Sequence, residues 1–214
     1  MKPTLDSHRV SGYRFPRGRL SVAFVAAMFA LTAFAGSAQA ASCPSTGAKT
    51  AFAAWGDYHN YVLAPDGGFE AGAAGWSLAG GAKAVIGNES YYLSSPADRN
   101  SLALPAGSSA GSPPVCMAID TPTFRMMARN TGDPRSQVRV TASYKLLGLL
   151  RTQTLGTVTA GSAWVPTVPQ STVLTLSTIV GLLIPSAIEI RVTPLDSKGN
   201  WQVDDLYIDP FARR

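Results

Sequence analysis

Cysteine and histidine are scarce in this 214-residue sequence: two cysteines, Cys43 and Cys116, and two histidines. With His59 the sole histidine after residue 40, a zinc site of the usual kind cannot be assembled. A serine–histidine–acid arrangement would have to pass through His59, and no serine neighbourhood there marks a nucleophile. The G-x-S-x-G elbow, the H-E-x-x-H pair and the P-loop are all missing. Glu70, Glu89 and Glu189 offer carboxylates for a glycosidase, yet nothing marks a pair at the separation that chemistry needs. The sequence therefore argues against an enzyme.

Long apolar runs are as scarce. The one present, "LSVAFVAAMFALTAFA" at 20–35, is 16 residues long, short of the roughly 20 that span a bilayer as a helix. Lys2, Arg9, Arg14, Arg17 and Arg19 precede it, and "SAQA" follows with Ala38 and Ala40 at signal-peptidase spacing. Residues 1–40 read as a signal peptide removed on export to a secreted, extracellular location; an uncleaved N-terminal anchor is the alternative. No membrane span is predicted in the mature chain.

Excess charge is lacking too once the leader is set aside. The whole chain has 18 Lys+Arg against 13 Asp+Glu, and the leader holds five of the former and one of the latter, which leaves 13 against 12. A basic nucleic-acid surface is thus not indicated. Of 214 residues, 174 remain after position 40, enough for one domain with a proper core. In an oxidising compartment Cys43 and Cys116 form one disulfide, the alternative being two buried thiols. Closing a loop of this length removes about 4 kcal/mol of unfolded-chain entropy.

What the chain does have is strand patterning. "QVRVTASYKL" alternates, with Val138, Val140, Ala142 and Tyr144 on one face; "AIEIRVT" sets Ile188, Ile190 and Val192 against Glu189 and Arg191. "TVLTLSTIV" continues the pattern, "KLLGLLRTQTLGTVTAG" reads as paired strands about Gly148, and "FRMMARNTGDP" as a strand running into a turn. "SLALPAGSSAGSPPVCMAID" reads as strand, loop, strand, and 50–58 as a short helix. Gly, Pro, Ser and Thr punctuate the rest. Short strands at this spacing predict one all-β domain, an antiparallel β-sandwich over 63–214, with 41–62 as an N-terminal arm tied to it by the disulfide.

"PDGGFEAGAAGWSL", 65–78, resembles the opening strand of galactose-binding-like jelly rolls, including many carbohydrate-binding modules. Asp66 stands where that family commonly has Asn. "GNWQVDDLYIDP", 199–210, is similar to the family's last strand, and "SAWVPTVPQSTVLTLS" to a middle segment in which a Trp precedes a strand. The three bracket about 145 residues, the span of one such module. The resemblance implies a jelly roll, core positions for Trp76 and Trp164, and a structural calcium held by Glu70 with Asp204 or Asp205. Calcium takes several hard oxygens, which carboxylates of neighbouring first and last strands can supply. Alternatively these acids are solvated or bond backbone groups at strand ends.

The resemblance also implies a secreted, non-catalytic binder of cell-wall or environmental polysaccharide. Aromatic candidates for stacking on sugar rings are Trp55, Tyr58, Tyr91, Tyr92, Tyr144 and Trp201, with Tyr144 on the more apolar face of its strand. Tyr91 and Tyr92 point to opposite faces if they lie in a strand, one buried and one exposed. Arg125 and Arg129 share a strand parity and either line a concave face with Tyr92 or form an ordinary solvated face. The candidate ligand residues are Tyr91, Tyr92, Trp201, Arg125 and Arg129. A secreted structural or surface-interaction protein without a sugar site is the competing reading.

Overall fold

Period-two patterning with one apolar face makes the longest strands, and their pairing builds two sheets. The computed structural model describes residues 47–117, 123–146, 149–171 and 186–209. The leader, Cys43 and "TVLTLSTIV" lie outside the described residues. Thirteen strands are described. The N-terminal half contributes β1 (Val62–Leu63), β2 (Ser77–Ala79), β3 (Lys83–Ile86), β4 (Asn100–Pro105), β5 (Ser109–Gly111) and β6 (Val115–Met117). Then come β7 (Thr123–Asn130), β8 (Val138–Leu146), β9 (Leu149–Val158), β10 (Val165–Pro166), β11 (Gln170–Ser171), β12 (Ser186–Pro194) and β13 (Asn200–Asp209).

One sheet runs β10-β7-β13-β4-β3, with β1 on β13 and β11 on β7; the other runs β2-β5-β12-β8-β9, with β6 on β12. Every pairing is antiparallel. Between the sheets, Leu102, Leu104, Phe124, Met126, Ala128, Val138, Val140, Ala142, Ile188, Ile190, Val192, Trp201 and Val203 form one buried apolar cluster. Inward side chains of both sheets meet there, as in any face-to-face sandwich. Tyr144 is buried in this cluster, on the face its strand parity predicts.

β13 changes phase partway along. Trp201 and Val203 point into the core, and so do Leu206 and Ile208. A strict alternation from Val203 would send position 205 inward instead. The register against β7 slips between Asp204, opposite Met127, and Tyr207, opposite Arg125. The extra residue is accommodated where Asp205 takes a left-handed backbone, φ 50°, as in a β-bulge. The turn over 64–67 caps this bulge: Ala64 N donates to Leu206 O at 2.9 Å and Leu206 N to Gly67 O at 3.0 Å. A Cβ at Gly67 would sit 2.8 Å from Leu206 O, so only glycine lets the two backbones approach this closely.

Several sequence expectations need correction. The stretch 65–76 is not a strand but a run of turns, with Asp66, Phe69 and Ala73 all at positive φ. Asp66 shapes it, its carboxylate accepting Ala71 N at 2.9 Å and Ala74 N at 2.7 Å. Phe69 is still buried and meets the ring of Trp76 edge-on at 4.9 Å. The Gly/Ser linker after Pro105 contains a strand, β5, and the expected helix over 50–58 is a single 3-10 turn, Ala53–Trp55.

A second, smaller apolar cluster lies on the other face of the β7–β13 sheet. Phe52, Tyr61, Met127, Trp164 and Tyr207 form it, with Trp55, Leu63 and Leu93 packed alongside. Residues 47–61, the described part of the arm, thus lie across the outer face of that sheet. Lys49 and Tyr61 exchange both backbone hydrogen bonds, each at 2.9 Å, closing the arm into a loop.

Candidate functional site

The arm and β7 together form a cleft. Its walls are Trp55, Tyr58, His59, Val168 and Pro169, and Asp57 and Arg125 lie at its base, around a volume of about 650 Å³. Arg125 is placed by strand parity: on β7 it shares the outer face with Met127, while Phe124 and Met126 point inward. Its guanidinium donates from Nη1 to Asp57 Oδ2 at 2.6 Å and from Nε to Thr167 O at 2.8 Å. It also sits 4.4 Å from the ring centre of Phe52. Arginine suits such a place because its planar fork satisfies several acceptors and stacks on a ring at once.

Asp57 is held by three donors: Arg125, Tyr61 Oη at 2.9 Å and His59 N at 3.2 Å. Burial alone would raise its carboxyl. The bonds from Arg125, Tyr61 and His59, with the Arg125 charge, outweigh that and hold it below the ordinary carboxylate value. His59 Nδ1 lies 3.7 Å from Asp209 Oδ2 at the end of β13. Tyr58 is 74 % exposed. The cleft therefore offers two aromatic side chains, an imidazole, and a carboxylate–guanidinium pair whose Arg125 has N–H groups beyond the bonds it already makes.

The residues singled out from sequence separate into distinct places. Tyr91 and Tyr92 do not lie in a strand, and both are half-exposed, 53 % and 51 %, with Tyr92 at φ 55°. The expected division into one buried and one exposed ring is corrected accordingly. Tyr91 meets Trp55 edge-on at 4.8 Å, so it adjoins the cleft from the loop over 87–99. Trp201 is fully buried between the sheets and donates from Nε1 to Ser136 Oγ at 2.9 Å. Neither face of its ring is available to a ligand, and the placement of Trp201 in a binding surface is corrected. Arg129, four residues on from Arg125, lies 4.8 Å over the ring of Trp164 and donates to Gln202 Oε1 at 2.6 Å. Trp164 is buried, but beneath Arg129 on the outer face rather than in the main core.

The acids assemble around the bulge, in a grouping different from the expected one. Glu70 is exposed and accepts Arg99 N at 2.8 Å and Asn100 N at 2.7 Å. It fastens the start of β4. Asp204 is buried and accepts Glu89 N at 3.0 Å and Asp205 N at 2.9 Å. Glu89, also buried, accepts the amides of Tyr91 and Leu93 and so folds the loop that carries both tyrosines. Asp205 is different: it is fully buried, and neither carboxylate oxygen has a hydrogen-bond partner. Asp205 Oδ1 and Asp98 Oδ2 both face Gly68, within 3.3 and 4.0 Å of where a Cβ would sit there.

Burial, then the charges of Glu89 and Asp98, push the Asp205 carboxyl up to about 7, against the pull of Lys49. Burial and the Asp205 charge push Asp204 up to about 9. A buried carboxylate with two unmatched oxygens, ringed by other acids, is the donor set a hard cation satisfies. Among the described residues no three His, Cys, Asp or Glu side chains converge closely enough to hold a metal ion. A calcium ion at Asp205 would therefore complete its shell with carbonyl oxygens. Sequence reasoning missed Asp98, Glu89 and Lys49 here, because positions 49, 89, 98 and 205 meet only through the fold.

Cys116 lies on β6 opposite Ala187 and lines an apolar cleft with Val62, Leu63 and Ile208. The chain leaving the arm thus passes beside it. No helix among the described residues is long and apolar enough to cross a membrane.

Two stacked antiparallel sheets with an interior core define a jelly-roll β-sandwich. The chain is similar to several solved carbohydrate-binding modules. One is the C-terminal family 22 module of Clostridium thermocellum Xyn10B, with 17 % identity, TM-score 0.45, and 68 % of this chain and 92 % of that one covered. Another is the family 16 carbohydrate-binding module-2, with 17 % identity, TM-score 0.45, and 69 % and 99 % covered. A third is TmCBM61 in complex with β-1,4-galactotriose, with 18 % identity, TM-score 0.44, and 68 % and 96 % covered. No family model matches the sequence, and no curated protein sequence matches it.

Proposed function

We propose that this is a secreted, non-catalytic polysaccharide-binding domain whose sugar site is the cleft between the arm and β7. The observation that carries the reading is the composition of that cleft: Trp55 and Tyr58 at its wall, with Asp57, His59 and Arg125 beside them. Aromatic side chains cover the apolar faces of pyranose rings, while planar polar groups satisfy hydroxyls in a fixed orientation. Tyr91 extends the aromatic surface through Trp55. The Cys43–Cys116 disulfide would hold the arm to the sandwich and so keep the wall in place.

Affinity electrophoresis in gels containing xylan, galactan or mixed-linkage glucan tests the reading. Retardation is expected on at least one of them, and Trp55→Ala or Tyr58→Ala is expected to weaken it by about tenfold, roughly 1.4 kcal/mol for one lost stacking surface. Tyr92→Ala is expected to leave it unchanged. Migration unaltered by every glycan would instead favour a structural or surface-interaction role for the same fold.

A structural calcium is also proposed, held by Asp205 with Asp98 and main-chain carbonyls of the loop over 87–99. The ion would neutralise buried carboxylates and fasten that loop to the β13 bulge. Glu70 and Asp204 act beside it by ordering the backbone of Arg99, Asn100 and Glu89. Calcium is expected to raise the melting temperature by several degrees over EDTA, about what 1–2 kcal/mol of stabilisation gives a domain of this size. Identical melts in the two conditions would remove the ion from the account.

A further inference from the structure

Arg129, half-buried on the outer face of β7, is held in position without being neutralised. Its Nε donates to Gln202 Oε1 at 2.6 Å, and its guanidinium lies 4.8 Å over the ring of Trp164. The ring and the amide together fix the plane of the guanidinium. Nη1 and Nη2 have no hydrogen-bond partner among the described residues and are not enclosed, so the open edge of the fork meets solvent. Arg125 and Arg191, by contrast, each spend a terminal nitrogen on a carboxylate at 2.6 Å. Among the described residues no acid lies within ion-pair distance of Arg129.

Strand pairing places a second cation on the same surface. Arg129 is opposite Gln202, Gln202 opposite Ala103, and Ala103 opposite Lys83. Directly opposed residues project to one side of a sheet. Leu102 and Leu104 point to the core, so this row lies on the outer face. Lys83 is exposed, and three strand spacings, about 14 Å, separate it from Arg129. Ala103 keeps the floor between them low. The nearest acid along β13, Asp204, is buried and accepts Glu89 N at 3.0 Å instead.

The row adjoins the sugar cleft through the loop over 87–99. Gly87, at the head of that loop, faces Arg129: a Cβ there would lie 4.0 Å from Nη2. The same loop carries Tyr91, which meets Trp55 at the cleft wall. Arg125 and Arg129, four residues apart on one strand face, are separated by about 13 Å, a distance that a short oligosaccharide spans.

We propose that the polysaccharide is an acidic one, and that Arg129 receives a sugar carboxylate at a second subsite beside the cleft. The inference rests on the sugar-binding reading above and adds the chemical class of its ligand. A uronic-acid carboxylate presents two coplanar oxygens that match the guanidinium fork, so Nη1 and Nη2 bind it through two parallel hydrogen bonds. A half-buried charge without a counter-charge is costly to maintain, and the incoming anion removes that cost. Arg125 does not serve this purpose, because Asp57 already neutralises it. Lys83 adds attraction along the row as a point charge, without fixing orientation. The cleft supplies the stacking surface, and Arg129 the selection for charge.

Polymers matched in all but charge test the proposal: glucuronoxylan beside its carboxyl-reduced form, and polygalacturonate beside its methyl ester. In affinity electrophoresis, at least one acidic polymer is expected to bind about tenfold more tightly than its neutral counterpart, the size of a charge-assisted pair of hydrogen bonds. Overall charge does not supply the effect, with 13 Lys+Arg against 12 Asp+Glu after position 40. Arg129→Gln is expected to erase the difference while leaving affinity for the neutral polymer unchanged, and Arg129→Lys to recover only part of it. Arg135→Gln removes the same charge from an exposed turn and is expected to change neither affinity. Equal affinity for charged and neutral forms in the unaltered protein overturns the acidic class and leaves the sugar cleft standing. A difference that survives Arg129→Gln, or that Arg135→Gln reduces as much, overturns the role of Arg129, as does an equal loss on the neutral polymer. The comparison in the unaltered protein needs no variant, so it decides the class even if Arg129→Gln does not fold. Absence of retardation on every polymer, acidic or neutral, overturns the sugar-binding reading together with this one.

Discussion

Arg125→Ala is expected to destabilise the protein by about 3–5 kcal/mol, the cost of removing one partner from a buried ion pair. The pair is tight, with 2.6 Å between Nη1 and Oδ2, and its side chains are 6 % and 9 % exposed. Removing the guanidinium leaves Asp57 charged and buried, with only Tyr61 Oη and His59 N to hold it. It also orphans Thr167 O and uncovers Phe52. Equilibrium urea unfolding measures the loss directly. The double variant Asp57→Asn, Arg125→Ala is expected to lose less than the sum of the two single changes, because it removes the stranded charge as well. A loss below about 1 kcal/mol for Arg125→Ala would place the pair among ordinary surface contacts and refute this account.

In the presence of a chelator, the melting temperature is expected to fall as pH rises from 5 to 9. Asp205 and Asp204 have carboxyls pushed up to about 7 and about 9, from an ordinary value of 3.8. Between 3.8 and those values the folded chain holds protons that the unfolded chain has released. The stabilisation these two groups give is therefore complete below about pH 4 and is lost as pH rises through 7 and then 9. Each costs about 1.4 kcal/mol per pH unit inside its window. Asp57 has the opposite sign: its depressed carboxyl contributes stability that disappears only as pH falls below the ordinary value, outside the range scanned. Saturating calcium is expected to flatten the profile, and Asp205→Asn to reduce its slope up to about pH 7. A flat melt in chelator across pH 5–9 would contradict the buried, unmatched state of Asp205.

The strands that the sequence made legible are those with one buried face. β8 and β12 alternate visibly because Val138, Val140, Ala142, Ile188, Ile190 and Val192 all line the same interior. The turn-rich stretch around Phe69 misled because its left-handed residues are Asp66, Phe69 and Ala73, not only glycines, and side-chain identity says little about that conformation. Trp201 looked like a ligand aromatic next to the Asp-Asp pair, yet it shares parity with Val203 and points inward. Trp55 and Tyr58 were legible only as aromatics near the N-terminus; their pairing with Arg125 depends on an arm that crosses the sheet. The acid grouping was least legible, because its members come from the arm, one loop and the last strand.

The bulge in β13 makes the Asp204–Asp205 pair a counting device for the final strand. Carrying the strand through this point without the bulge, every residue kept, would restore unbroken alternation, and that would turn Leu206 and Ile208 outward while sending Tyr207 and Asp209 into the interior. Removing Asp205 itself would instead leave Val203, Leu206 and Ile208 on one face, because the residue lost is the extra one. The one extra residue at the Asp204–Asp205 pair thus sets the phase of everything that follows it.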